Sequence, residues 1–290
     1  MTELKPYKGG YYLWLYVPST PAAALFTALF ALGTAYISWR MFKTRTWFCT
    51  AFIIGGILEL VGYAARAVAR DKTERLMPYV IQSTFILVAP ALFAASIYMI
   101  LGRLIRTLGA TSLSIIPVKW LTKIFVCGDI AAFVIQASGA GVMVTSDSMN
   151  TGENIILGGL LVQIVIFGLF AVTSAIFHVR ARRYRPQSYL EWEKTMIMLY
   201  VVSALIMLRS IFRVIEYIMG SDGYLLKNEW TLYIFDALLM FGVVVMLGWR
   251  YPGDLNPAKD DGLDVTLEST MTPPLPEHVN KRTSGGNPIC

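Results

Sequence analysis

Seven runs of about 20 apolar residues, near 20–42, 47–69, 79–101, 121–144, 155–179, 196–219 and 230–250, constrain this chain more than any other feature. A run of that length crosses the hydrocarbon core of a bilayer as a helix. In lipid the backbone has no water to bond to, so each crossing segment must satisfy its own N–H and C=O groups, which a helix does. The sequence therefore predicts an all-α polytopic membrane protein. Its seven-transmembrane-helix bundle occupies 20–250, between an extracellular tail at 1–19 and a disordered cytosolic tail at 251–290. The tail assignment rests on the Pro, Ser, Thr, Gly and charge that follow Pro252-Gly253, a composition too polar to bury a core.

Orientation follows from the basic residues. Arg40, Lys43 and Arg45 follow the first run, Arg103 and Arg106 the third, and Arg180, Arg182, Arg183 and Arg185 the fifth. The opposite links are poorer in Lys and Arg, which puts the N-terminus outside and the C-terminus in the cytosol. The net charge of +6 thus serves topology, and nucleic acid is not an expected partner. Cys49, Cys127 and Cys290 are too scattered for a disulfide framework. With only His178 and His278 there is no His-rich ligand set for a metal, no residue pattern calls for a cofactor, and no phosphate-binding G-x-x-x-x-G-K-[ST] loop is present.

Charges interrupt the apolar runs. In the sixth, Arg209, Arg213 and Glu216 stand at i, i+4 and i+7 and share one helix face. The same spacing recurs as Glu59, Tyr63 and Arg66 in the second run, Asp129, Phe133 and Gln136 in the fourth, and Glu229, Tyr233 and Asp236 in the seventh. Gln82 and Gln163 add neutral hydrogen-bonding groups. A charge at mid-membrane costs about 2.5–3.5 kcal/mol, so Glu59, Arg66, Asp129, Arg209, Arg213, Glu216 and Asp236 unpaired would cost about 17–25 kcal/mol. They must pair or meet water. Two readings follow: an ion-pair network that fixes helix order and binds nothing, or one polar cavity, open to the outer side, for an amphipathic ligand.

In the cavity reading the carboxylates meet a cationic head and the guanidiniums meet phosphate or hydroxyl oxygens. The substrate-binding candidates are Glu59, Tyr63, Arg66, Gln82, Asp129, Gln136, Arg209, Arg213, Glu216, Tyr233 and Asp236. Pro90 predicts a kink in the third helix, since it removes a backbone donor. Gly55, Gly56, Gly62, Gly139, Gly141, Gly158, Gly159 and Gly168 are candidates for close helix packing.

Several of these strings occur together in one family. Tyr16-x-Pro18-Ser19, Glu59-x-x-Gly62-Tyr63-x-x-Arg66, Gln82 with Ala89-Pro90, Asp129 through Gln136 to Gly139-x-Gly141, and Arg209-x-x-Phe212-Arg213-x-x-Glu216 followed by Glu229, Tyr233 and Asp236 resemble the fungal RTA-like family, the lipid-translocating exporters. The resemblance covers roughly 11–253. It implies a seven-helix protein, often of the fungal plasma membrane with endomembranes as the other site. Relatives are linked to sphingoid long-chain base release, resistance to toxic amphiphiles such as aminosterols, and porphyrin uptake. The implied partners are membrane lipids or an amphiphilic small molecule. A seven-helix receptor or lipid sensor is the alternative, and an intramembrane lipid-modifying enzyme ranks last. Two positions depart from the family pattern, Tyr251 where His is common and Ala23 where Asn is often found, and both are expected to lie away from the charged residues.

Overall fold

A computed structural model describes residues 19–70, 76–145, 149–184, 190–219 and 228–252. The N-terminal tail before Ser19 and the C-terminal tail after Pro252, with the disorder expected of it, lie outside the described residues. All regular structure among the described residues is helical, and the helices follow the apolar runs: α1 (Thr20–Thr44), α2 (Thr50–Ala69), α3 (Leu76–Thr107), α4 (Val118–Thr145), α5 (Met149–Tyr184), α6 (Leu190–Met219) and α7 (Glu229–Trp249). Six are long and apolar enough to cross a membrane. The remaining one, α4, has 28 residues, about 42 Å at 1.5 Å per residue, with Lys119, Lys123 and Asp129 in its first half.

The helices outrun the apolar segments where charges follow. Helix α3 continues through Arg103 and Arg106, α5 through Arg180 and Arg182, and α6 begins at Leu190, ahead of Glu193 and Lys194. Hydropathy measures the bilayer and not the helix, so those turns were invisible to it. At its C-terminus α1 stops on Arg45, which takes a left-handed φ of 55°, while the Thr46 N–H returns to the Met41 carbonyl. A short 3₁₀ turn, Trp47–Cys49, then leads into α2.

Neighbours in sequence are neighbours in space, and α7 closes the ring by packing on both α6 and α1. Helix α3 also reaches α6 across the bundle. Accordingly 67% of the most apolar stretch of α3 is buried, against 22% for α1. Polarity is inverted relative to a water-soluble protein: Leu32 is 71% exposed while Arg66 is 1% exposed. That inversion is what a lipid solvent selects.

Close packing uses some of the glycines. At Gly159 a Cβ would stand 2.9 Å from the Ala132 carbonyl oxygen, and at Gly62 it would meet the Ile86 side chain at 2.7 Å, so α5 and α2 approach α4 and α3 through bare backbone. Gly55, Gly56 and Gly139 are likewise crowded. Gly141 and Gly158 face open space and Gly168 meets only the tip of Met207, so these three do not carry the close approach expected of them.

Candidate functional site

Helix α7 is not uniformly α-helical. Tyr233–Leu238 forms a π-helical turn between two α segments, a feature often found at functional positions. Tyr233 and Asp236 are both buried there and face different partners. Tyr233 meets α2, and Asp236 meets α6.

Asp236 is the centre of the network. Its Oδ1 accepts from Arg209 Nε at 2.6 Å and its Oδ2 from Arg213 Nη2 at 2.5 Å. Arg213 also donates to Glu216 at 3.0 Å, one turn further along α6. Arg209 donates from Nη2 to the Ile86 carbonyl at 2.9 Å. The i, i+4, i+7 face read in α6 therefore acts as one unit, with two guanidiniums balanced by two carboxylates.

A second group lies on the same end of the bundle. Arg66 donates to the Tyr233 hydroxyl at 3.1 Å and to Glu229 at 2.8 Å. Glu229 in turn accepts the backbone N–H of Ser19, 2.9 Å to Oε1 and 3.0 Å to Oε2. One carboxylate thus ties the start of α1, the last turn of α2 and the start of α7. Phe26 stacks on Tyr233 with ring centres 5.5 Å apart, and Phe30 stacks on Tyr63 at 5.6 Å, so aromatic rings of α1 wall the charges off.

Glu59 is fully buried, and neither carboxylate oxygen has a hydrogen-bond partner among the described residues. Asp236, Arg209 and Arg213 act on it through space. Tyr63, one turn along, is fully buried, and its hydroxyl has no hydrogen-bond partner among the described residues. Although Glu59 and Arg66 share a helix face, Arg66 reaches outward to Glu229 instead.

The remaining candidates form separate groups. Asp129 accepts from the Tyr98 hydroxyl at 2.9 Å, beside a cluster of Phe125, Phe167 and Phe170. Gln136 donates to Gln163 at 3.1 Å, joining α4 to α5. Gln82 is buried on α3, and its Oε1 has no partner among the described residues. Among the described residues the charged side chains do not surround an open chamber: Glu59, Arg66, Arg209 and Asp236 are all at most 1% exposed. The single outward cavity expected from the sequence is a closed, packed network plus two distinct polar pairs. With Glu229 counted, five carboxylates face three guanidiniums among the described residues, and no ion pair there reaches Glu59 or Asp129.

Glu229 and Tyr98 were missed as site residues. Glu229 stands at the edge of its apolar run and reads as a helix-terminal charge, and Tyr98 reads as an ordinary core aromatic. Ala23, expected away from the charges, lies at the charged end of α1, where its N–H bonds the Ser19 carbonyl at 3.2 Å. Tyr251 is indeed at the opposite end. Its hydroxyl bonds the Thr46 hydroxyl, and burial pushes its pKa up to about 12.

A helical bundle whose interior is charged and whose exterior is apolar defines an integral membrane protein with a buried polar site. Residues 52–259 match the family described as RTA1 like protein, and the chain belongs to that family. It is similar to three proteins of Saccharomyces cerevisiae. Protein RTM1 is 40% identical over 224 residues, covering 75% of this chain and 72% of the relative. Protoporphyrin uptake protein 1 is 36% identical over 274 residues, covering 81% and 90%. Sphingoid long-chain base transporter RSB1 is 29% identical over 286 residues, covering 84% and 72%. No solved structure matches the chain.

Proposed function

We propose that this protein moves an amphiphile across or out of a bilayer, with the charged network as the headgroup site and the tail left in lipid. The observation that carries the reading is the Arg209–Asp236–Arg213–Glu216 chain, buried at one end of the bundle inside a shell whose outer surface is apolar. Two relatives support it by their names, one for protoporphyrin uptake and one for sphingoid long-chain base transport. Candidate cargoes are a sphingoid long-chain base, a sterol-like or a porphyrin-like compound. Their removal from the cell would confer resistance to toxic amphiphiles, and the plasma membrane is the compartment this role suits.

The least covered members mark the way in. The side chains of Arg213 and Glu229 are 15% and 18% exposed, whereas that of Asp236 is 1% exposed. A headgroup therefore meets Glu229 and Arg213 first, the carboxylate taking a cationic amine and the guanidinium its hydroxyl or phosphate oxygens, once the Ser19–Glu229–Arg66 clasp has released. Exchanging one ion pair for another keeps the charge count constant, which keeps the barrier low in a medium of low dielectric.

Purified protein in liposomes loaded with a labelled sphingoid base, without nucleotide, tests this. Transfer to the outer leaflet should exceed that of empty liposomes and fall to the empty-liposome rate in Arg213→Gln. Saturable binding without transfer would make the protein a receptor or sensor instead.

A further inference from the structure

Within the main network, two guanidiniums already answer two carboxylates: Arg209 and Arg213 against Asp236 and Glu216. Arg66 is taken by Glu229. Glu59 stands beside this balanced set as one carboxylate too many. It is fully buried, neither oxygen has a donor among the described residues, and Asp236 is among the charges that act on it. An ionised carboxylate so placed has lost its water and has no hydrogen bond in return, and the pull of Arg209 and Arg213, both bonded to Asp236, is set against the repulsion of that neighbouring carboxylate. Carrying one positive charge removes both penalties.

The surroundings of Glu59 leave that charge no fixed source. Helices α6 and α7 present Arg209, Arg213 and Asp236 to it, all mutually engaged. Helices α1 and α3 press the neutral Thr34 and Ile86 against Gly56 and Gly62 on either side. Tyr63 and Arg66 follow on its own helix, the first neutral and the second bonded to Glu229.

We infer that Glu59 is an exchange site for a single positive charge: it holds a proton in the closed conformation and yields it to a cationic headgroup, coupling cation translocation to proton counterflow. The proton leaves to the aqueous phase from which the cation enters and is regained when the cation departs on the other side. Charge is conserved at each exchange, and no nucleotide or redox partner takes part. This inference rests on the translocator reading above.

The test uses the full chain in liposomes containing a pH-sensitive dye, with a labelled long-chain quaternary ammonium as the probe. That probe carries a fixed charge and has no proton to shed. Transfer of the probe should be accompanied by an opposite movement of protons, and an imposed pH gradient should drive it. Glu59→Gln should lose the proton movement and the response to the gradient, while Glu59→Asp, which keeps an acid, should retain both. Transfer of probe by the unsubstituted protein with no proton movement overturns the coupling and leaves the translocator reading intact. That measurement needs no variant to fold. Transfer of the labelled sphingoid base but not of the quaternary ammonium overturns the coupling alone, and transfer of neither overturns both. Infrared difference spectra of the unsubstituted protein against Glu59→Gln at neutral pH supply a readout independent of flux. A protonated-carboxyl band lost in the variant is expected, and its absence overturns the proposal.

Discussion

Arg209 donates to the carbonyl of Ile86, and that carbonyl is the one Pro90 leaves without its helical donor four residues later. The proline inside α3 and the buried arginine of α6 are two halves of one arrangement. Pro90 supplies a free acceptor within a membrane-spanning helix, where an unsatisfied carbonyl is costly. Arg209 uses it to anchor Nη2 while Nε holds Asp236.

That relationship makes a double-mutant cycle informative. Arg209→Gln should destabilise the protein by about 3–5 kcal/mol, because it leaves Asp236 short of a partner and Ile86 without a donor. Adding Pro90→Ala restores an N–H to that carbonyl and should recover about 1–3 kcal/mol. Thermal unfolding in detergent reads both. Strict additivity of the two substitutions would show that the Ile86 carbonyl plays no part.

Asp236 and Glu216 both neutralise Arg213, yet their removal should differ. Asp236→Asn leaves two buried guanidiniums short of charge, whereas Glu216→Gln affects only Arg213, whose side chain is 15% exposed and keeps Asp236. The first should cost about 3–5 kcal/mol and the second about 1 kcal/mol. Unfolding midpoints measured side by side check the order. Equal losses would refute the central place given to Asp236.

The clasp at the charged end has a local reporter. Glu229 is the acceptor for the Ser19 N–H, so Glu229→Ala should speed hydrogen exchange at that amide at least about tenfold, as loss of roughly 1.4 kcal/mol of protection requires. Amides in the middle of α3 should be unaffected. Mass-spectrometric exchange on the protein in nanodiscs resolves the two regions.

Adjacent glycines in α5 should respond oppositely. Gly159→Ala forces a methyl against the Ala132 carbonyl and the Gln136 backbone, at a cost of about 1–3 kcal/mol. Gly158→Ala meets nothing within 4 Å and should gain up to about 1 kcal/mol of helix propensity. Melting temperatures and membrane yield distinguish them, and a destabilised Gly158→Ala would contradict the packing.

The seven helices, the all-helical class and the pairing of most buried charges were legible in the amino-acid order. Each depends on a property local to one segment, either the length of an apolar run or a three-to-four-residue spacing. The faces read in α2, α6 and α7 did converge, and Glu59, Tyr63, Arg66, Arg209, Arg213, Glu216, Tyr233 and Asp236 lie at one end of the bundle. Asp129 and Gln136 shared that spacing and went elsewhere, to Tyr98 and Gln163. Which guanidinium meets which carboxylate was settled only in three dimensions. Arg66 bypasses Glu59, seven residues away on its own helix, for Glu229, separated from it by 163 positions. The π turn of α7 carries no side-chain signature, and although Pro90 marks the Ile86 carbonyl as free, nothing in the sequence names Arg209 as its donor. Sequence fixes what each helix presents, because periodicity belongs to the helix. Partnership depends on the rotation and height of every helix against its neighbours, and those are set by the packing of all seven together.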